Sequence, residues 1–324
     1  MHAQEAVKEH MKSLQGKFDA QWAGQNPWVD AKKQEIPGYL ENAIKQTDVY
    51  RALKKRWEDN EDTIQYFLRK PHQCEIFTHD AGLTKKMMSS YDSLAHYKKM
   101  LRCGFFTLDP KNGHIKTWVG GWNYKIMKFD HITQSKRQPG STFKLATMLA
   151  LLEDKKVGLN NMVNISGGTW KVAGQTVYDS ENHGSSDVTV QHAFELSSNV
   201  AMAKMAVPHY SGNPMQFINH LKNMGMDNVT GIDLSGEGRP LIYKPGHKLW
   251  GPSTIPWMAF GYNLLVSPLQ TANLYNAVAN NGKMMKPYLV SAIKEEGVLL
   301  REIQPKVVNE KICSDQTLAA LKAC

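Results

Sequence analysis

Long apolar runs are missing from this sequence. No stretch approaches the ~20 consecutive apolar residues that a membrane-crossing helix needs. The opening residues, Met1 to Leu14, place no apolar core after their basic side chains, so they do not read as a secretory leader. Taken literally, this fits a soluble cytoplasmic product, an expectation with which the motifs below conflict. Cysteine is scarce. Cys74, Cys103, Cys313 and Cys324 include no C-x-x-C pair, so free or buried thiols are expected rather than a metal cluster. H-E-x-x-H, G-x-S-x-G, zinc-finger and RNA-binding signatures are absent, as are internal repeats and low-complexity segments. The net charge of +9 is spread thinly, with no run beyond Lys-Lys-Arg. It suits an anionic surface at least as well as a nucleic acid, and no nucleic-acid partner is expected.

What is present reads as globular. The chain has 324 residues, 42% hydrophobic and 21% charged, which is enough for about two domains. Val7, Met11, Leu14, Phe18 and Trp22 make one helical stripe. Pro27 and Pro37 break the chain, residues 39 to 69 look helical, and residues 70 to 100 look irregular. The stretch "GFFTLDPKNGHIKTWVGG" at 104–121 predicts two strands around a turn made by Pro110, Asn112 and Gly113. A helix begins near Ser141, with Gly158 as its stop. Short strands are expected in 168–179, helix–junction–helix in 188–207, a helix ended by Asn280-Asn281-Gly282, a hairpin in 286–303 and a last helix from Asp315. Helices and strands without strict alternation predict an α+β fold with an antiparallel sheet flanked by helices.

The candidate chemistry lies in "RQPGSTFKLATMLALL" at 137–152. A serine hydroxyl is a poor nucleophile unless a base and oxyanion donors stand beside it. Ser141 and Lys144 are three residues apart, which puts them on one helix face, near the positive end of the dipole. A lysine acts as base only after losing its proton, and burial in low dielectric favours that loss. The apolar residues Leu145 to Leu152 supply such a setting. Taken singly, S-x-x-K is common at surface helix starts, where the lysine snorkels. The Gln-Pro-Gly turn before Ser141 and the Ser197-Ser198-Asn199 junction strengthen the case. Ser197 is placed to relay a proton between Lys144, Ser141 and a leaving amine. Asn199 is placed to hold Lys144 and a substrate amide, although a junction of this kind is also an ordinary helix cap.

Together these stretches resemble the penicillin-binding protein transpeptidases, the D,D-transpeptidases of peptidoglycan synthesis. "RQPGSTFK" is similar to the family's first motif, "ELSSNVAMAKMA" to its second, and "FGYNLLVSPLQTANLYNAVANNGKMMKPYLV" to the segment leading toward its third. The resemblance covers residues 104 to 324. It extends to residues 4–100, which look like the linker ahead of the transpeptidase domain in class A enzymes. Residues after 144 look more like the class B division enzymes, and the two similarities meet at "RQPGSTFK", as they would in a recombined gene. The resemblance implies a penicillin-binding and serine β-lactamase-like fold, with residues 1–100 a helical linker or accessory region and 101–324 the transpeptidase domain. No K-T-G or K-S-G occurs anywhere, so the domain is expected to stop before the strand that carries the third motif. One missing oxyanion donor costs about 2.7–4 kcal/mol, so the chain alone is expected to be weakly active or inactive.

The resemblance further implies Ser141, Lys144, Ser197 and Asn199 as catalytic residues, with Gly140 and Ser198 at the substrate. The reaction is acyl transfer on D-Ala-D-Ala stem peptides, without metal or organic cofactor, and β-lactams acylate the same serine. The setting is the cell envelope, on the periplasmic face of the inner membrane, with envelope or division proteins as partners. Competing readings are a D,D-carboxypeptidase or serine β-lactamase, which use water as acceptor, and a non-catalytic module that binds peptidoglycan or a partner. A Ser-His-Asp triad through His131 or His192 is weaker, and His183 beside Asp179 and Glu181 reads as an acidic loop rather than a metal site. Trp118, Trp122, Trp170 and Trp257 are expected to pack in the core or at its rim rather than line a cleft.

Overall fold

The computed structural model describes residues 2–30, 32–121, 123, 124, 126, 128–184 and 186–324. Trp122 lies outside the described residues. The chain divides into two compact units, residues 1–103 with 121–128 and residues 104–120 with 129–324. The α+β class is borne out.

The first unit carries helices α1 (His2–Gln21), α2 (Tyr39–Ile44), α3 (Asp48–Arg56) and α4 (Glu61–Arg69), then strands β1 (His72–Thr78) and β2 (Gly82–Met88), then α5 (Ser90–Lys99). Its small core packs Ile44, Tyr50, Ile64, Leu68 and Tyr91. Side-chain caps set three of its helix starts: Thr47 for α3, Asn60 for α4, and Ser89 with Asp92 as a capping box for α5. The stretch expected to be irregular, 70–100, is a regular antiparallel hairpin followed by a helix. Strand β2 reads Gly-Leu-Thr-Lys-Lys-Met-Met and has no buried residue, so it lacks the alternation by which strands are recognised.

In the second unit, β3 (Phe105–Leu108) and β4 (Ile115–Val119) pair around the expected turn. Asp109 accepts from Lys111 N at 2.9 Å and Asn112 Oδ1 from His114 N at 2.8 Å, which closes it. There follow a 3₁₀ turn (Gly140–Phe143), α6 (Lys144–Glu153), β5 (Met162–Asn164), β6 (Thr169–Val172), β7 (Gln175–Tyr178), β8 (Asp187–Thr189), α7 (Val190–Glu195), α8 (Asn199–Tyr210) and α9 (Pro214–Asn223). The rest is β9 (Leu241–Ile242), α10 (Thr254–Met258), β10 (Leu264–Leu265), α11 (Pro268–Ala279), β11 (Met284–Met285), β12 (Ala292–Glu295), β13 (Val298–Glu302), β14 (Val307–Asn309) and α12 (Asp315–Ala323). Among the described residues every ladder is antiparallel and two-stranded: β3–β4, β5–β8, β6–β7, β9–β10, β11–β14 and β12–β13 here, as β1–β2 in the first unit. In the second unit β5–β8, β6–β7, β9–β10 and β11 pack on the apolar core to which α6 belongs, β3–β4 packs on a smaller cluster with Ile132, Ile232 and Leu269, and β12–β13 has no buried residue. Met148, Leu149, Ala150 and Leu151 of α6 are fully buried, each large side chain worth about 1.5–3 kcal/mol of burial. The small residues Ala201, Ala203 and Ala206 let α8 pack close, and Phe143 meets Phe217 of α9 edge-on. Trp118, Trp170 and Trp257 are half-buried against apolar clusters.

Helix α6 ends at Glu153 rather than at Gly158. Lys155 takes the left-handed conformation (φ 54°), and Lys156 N and Lys155 N donate back to Leu151 O and Leu152 O. A lysine stands where glycine is usual, so the stop left no glycine in the sequence. The C-cap residue, Asp154, ties three helices together. Its Oδ2 accepts from Tyr210 Oη and Gln216 Nε2, both at 2.9 Å, and its Oδ1 lies 2.8 Å from His220 Nε2. Burial pushes this carboxyl's pKa up, but the bonds from His220, Tyr210 and Gln216 outweigh it and hold the pKa below the usual value.

We therefore expect Asp154→Ala to lose about 1–3 kcal/mol of stability at pH 7 in urea unfolding, since the buried Tyr210 hydroxyl loses its acceptor. A depressed folded pKa stabilises above the unfolded value of about 3.9 and ceases to as pH falls through the folded value, so wild type and mutant should converge in acid. Equal stability at pH 7 would discard this role.

Candidate active site

The turn before Ser141 is held from outside by backbone. Arg137 and Val266 exchange N–H···O bonds of 3.0 Å in both directions, and Gly140 N donates to Gly261 O at 3.1 Å. The approach is close enough that a Cβ on Gly261 would lie 2.1 Å from Gly140 O, and Gly261 has φ 87°. Side chains complete the clamp. Thr147 Oγ1 donates to Ala259 O at 2.8 Å, Tyr275 Oη to Thr142 O at 2.9 Å, and Thr142 Oγ1 to Pro139 O at 2.8 Å. Ser141 sits exposed in the 3₁₀ turn, immediately ahead of α6, while Phe143 and Lys144 are buried.

Lys144 is the first residue of α6 and is 2% exposed. Its amine donates to the carbonyl oxygen of Ser197 and, at 3.0 Å, to the Ser197 hydroxyl. Burial lowers the pKa of this amine from 10.5 to about 8, against an opposing pull from the charge of Asp179. The structure thus brings Lys144 to Ser197.

The Ser197-Ser198-Asn199 junction has three distinct jobs. Ser197 (φ 54°) is the left-handed residue that ends α7, with Ser197 N and Ser198 N donating to Phe194 O and Ala193 O. Ser198 caps α8, its Oγ accepting from Ala201 N at 3.0 Å and donating to Asp179 Oδ2 at 2.8 Å. Its side chain is wholly buried, so it shapes the junction from within rather than presenting a hydroxyl to substrate. Asn199 Nδ2 donates to Tyr178 O at 2.7 Å, not to Lys144, which leaves its carbonyl oxygen as the free end of the amide. Gly140 contributes backbone, with φ 58°. His192 pairs with Glu195 at 3.1 Å.

Sequence reasoning missed Gly261, Tyr275 and Thr147, and weighed Asp179 only as part of an acidic loop. Gly261 left a faint signal as a lone glycine between Phe260 and Tyr262. The others act through partners more than a hundred residues away, or nineteen in the case of Asp179 and Ser198, and left none.

The family described as penicillin-binding protein transpeptidase domain matches residues 103–324, and the penicillin-binding protein middle domain matches residues 23–101. Penicillin-binding protein PbpB of Mycolicibacterium smegmatis is 28% identical over 187 residues, 57% of this chain and 28% of that protein. The chain spans between 21% and 31% of the length of the curated relatives it matches. The D,D-transpeptidase domain of a peptidoglycan glycosyltransferase from Eggerthella lenta superposes with a TM-score of 0.60 at 22% identity, over 68% of this chain and 60% of that one. Penicillin-binding protein 3 of Mycobacterium tuberculosis, solved in complex with ampicillin, superposes with a TM-score of 0.57 at 23% identity, over 67% of this chain and 49% of that one.

Gly261→Ala is expected to cost about 2 kcal/mol or more in urea unfolding, because both a backbone clash and a left-handed φ oppose the new Cβ. Gly246→Ala has a comparable φ of 90° but open space around it, and should cost about 1 kcal/mol. Equal effects of the two changes would show that the Gly140–Gly261 approach contributes nothing.

Proposed function

Because the chain belongs to the penicillin-binding protein transpeptidase family, we propose that it performs serine acyl transfer on peptidoglycan stem peptides ending in D-Ala-D-Ala, and that penicillins acylate the same serine. The observation that carries this reading is the buried Lys144 amine, hydrogen-bonded to Ser197 and set one turn after an exposed Ser141. With a pKa of about 8, about one amine in ten is neutral at pH 7, enough to serve as a base.

Ser141 Oγ attacks the carbonyl carbon of the penultimate D-Ala, and the neutral Lys144 amine takes the hydroxyl proton as the O–C bond forms. The N–H of Ser141 faces the developing oxyanion, favoured by the N-terminal end of α6. The peptide C–N bond then breaks. The departing nitrogen receives a proton passed from the Lys144 ammonium through the Ser197 hydroxyl, and D-Ala leaves. An amine of a neighbouring stem attacks the ester carbonyl and gives a proton to Lys144; the ester C–O bond breaks as the new C–N bond is kept, and Lys144 returns the proton to Ser141 Oγ. Asn199, its Nδ2 engaged by Tyr178, offers its carbonyl oxygen to a substrate N–H. Gly140 shapes the nucleophile turn and Ser198 the junction. In a penicillin the ring C–N bond breaks in the same way, but the nitrogen stays tethered.

Two comparisons support the reading. A solved structure with this fold was obtained in complex with ampicillin, and membership of a wall-synthesis family fits work at the cell envelope, with division or wall-synthesis proteins proposed as partners. A non-catalytic peptidoglycan-binding module is the second reading, favoured by the complete burial of the Ser198 side chain and by the bond of Asn199 to Tyr178 O rather than to Lys144.

Fluorescent penicillin tests both. Labelling of the folded chain that disappears in Ser141→Ala supports the enzyme, and a folded chain that takes no label supports the binding module. Lys144→Ala should keep the fold and slow labelling by about 10²-fold or more, and a wild-type rate would discard the lysine base. The base is the unprotonated amine, so the labelling rate should rise about tenfold per pH unit below a midpoint near 8 and level off above it. A flat profile would contradict that assignment.

A further inference from the structure

We propose that Asp179 is a positioning residue of this site: its carboxylate fixes the Ser197–Asn199 junction and sets a negative charge on Ser198, the residue next to the Ser197 that holds the Lys144 amine. The inference rests on the acyl-transfer reading above and deepens it.

Asp179 follows strand β7 directly. Its own N–H donates to Gly168 O at 2.8 Å, which anchors the loop. Both carboxylate oxygens are engaged at the start of α8, Oδ2 by the buried Ser198 hydroxyl at 2.8 Å and Oδ1 by Val200 N at 2.9 Å. The preceding residue, Tyr178, takes Asn199 Nδ2 on its carbonyl. Two consecutive loop residues therefore hold Ser198 and Asn199, and Ser197 is held by Lys144 from the other side. A helix cap alone does not call for this arrangement, because Ser198 already caps α8 through Ala201 N. The carboxylate adds charge at a helix N-terminus, where an anion is favoured. It also adds charge at Ser198, one residue along the chain from the Ser197 oxygens that hold the buried amine. Around Lys144, Ser197 offers neutral oxygens, and the charge felt at the amine is that of Asp179. Burial alone would drive the amine further toward neutrality and leave it a weaker base. Asp179 keeps it basic enough to take a proton from serine and hand it on.

The test uses the full chain with ε-¹³C-labelled lysine. The Lys144 resonance is assigned by its loss in Lys144→Ala and then titrated by NMR, in parallel with the pH profile of fluorescent-penicillin labelling. Asp179→Asn should move the Lys144 midpoint down by about half a pH unit or more, since an ammonium loses its nearby anion. It should also lower the limiting labelling rate about tenfold or more. Asp179→Glu, which keeps the charge, should restore the midpoint. Ser198→Ala, which cuts one bond and keeps the charge, should leave the midpoint in place and slow labelling. An unmoved Lys144 midpoint in Asp179→Asn overturns the charge role, and a wild-type labelling rate in Ser198→Ala overturns the positioning role. A wild-type chain that never labels overturns the acyl-transfer reading instead, while the NMR titration still reports on Asp179.

Discussion

The second unit is organised around one unfavourable act, the burial of an amine at the head of its most apolar helix. Lys144 is 2% exposed, and the eight residues from Lys144 to Leu151 are all buried. A cation there has lost its water and must find oxygen elsewhere. Ser197 supplies two oxygens, the carbonyl and the hydroxyl, from one residue. Ser197 does so from a left-handed backbone, with φ 54°. The requirement runs in both directions. The α7–α8 junction is placed so that Lys144 is satisfied, and Lys144 in turn keeps a non-glycine residue in a conformation that costs about 1–2 kcal/mol.

The same helix ending recurs at six of the described helices, which shows how one local device serves different ends. Helices α3, α6, α7, α9, α10 and α11 close with an N–H reaching back five residues, from Asp59, Lys156, Ser198, Met226, Tyr262 and Gly282. The residue in the left-handed position is Glu58, Lys155, Ser197, Gly225, Gly261 and Asn281 in turn. Glycine and asparagine take that position at little cost, so Gly225 and Asn281 end their helices without strain. Serine takes it at a price, and Ser197 is the one whose side chain reaches the buried amine. Strain and proposed function coincide there.

This contrast explains what was legible in the sequence. Asn280-Asn281-Gly282 announced the end of α11 because its chemistry is written in its residue types. Lys155 did not announce the end of α6, because its conformation follows from the chain's need to turn rather than from any lysine preference, and the expected stop slid to Gly158. Ser141, Lys144 and Ser197 were legible because spacing along a helix and a polar break between two helices are local properties. The hairpin β1–β2 was not, since an exposed strand carries no alternation. Asp179 was not either, because its value comes from a bond to Ser198 that only folding creates.

The least legible part is the clamp on the turn that carries Ser141, and its chemistry explains why. Arg137 with Val266, and Gly140 with Gly261, meet through backbone atoms, which every residue carries alike. A backbone clamp leaves its trace only where a side chain would obstruct it, which here means Gly261. Yet this clamp, with Thr147 on Ala259 and Tyr275 on Thr142, keeps Ser141 exposed while Phe143 and Lys144 turn inward. An unclamped turn ahead of so apolar a helix would be free to bury its serine or release its lysine to solvent, and either movement separates Ser141 from Lys144. The lysine on the first turn of α6 is thus explained by two forces at once. The apolar helix draws its stem inward, and a distant segment holds the serine three residues earlier out.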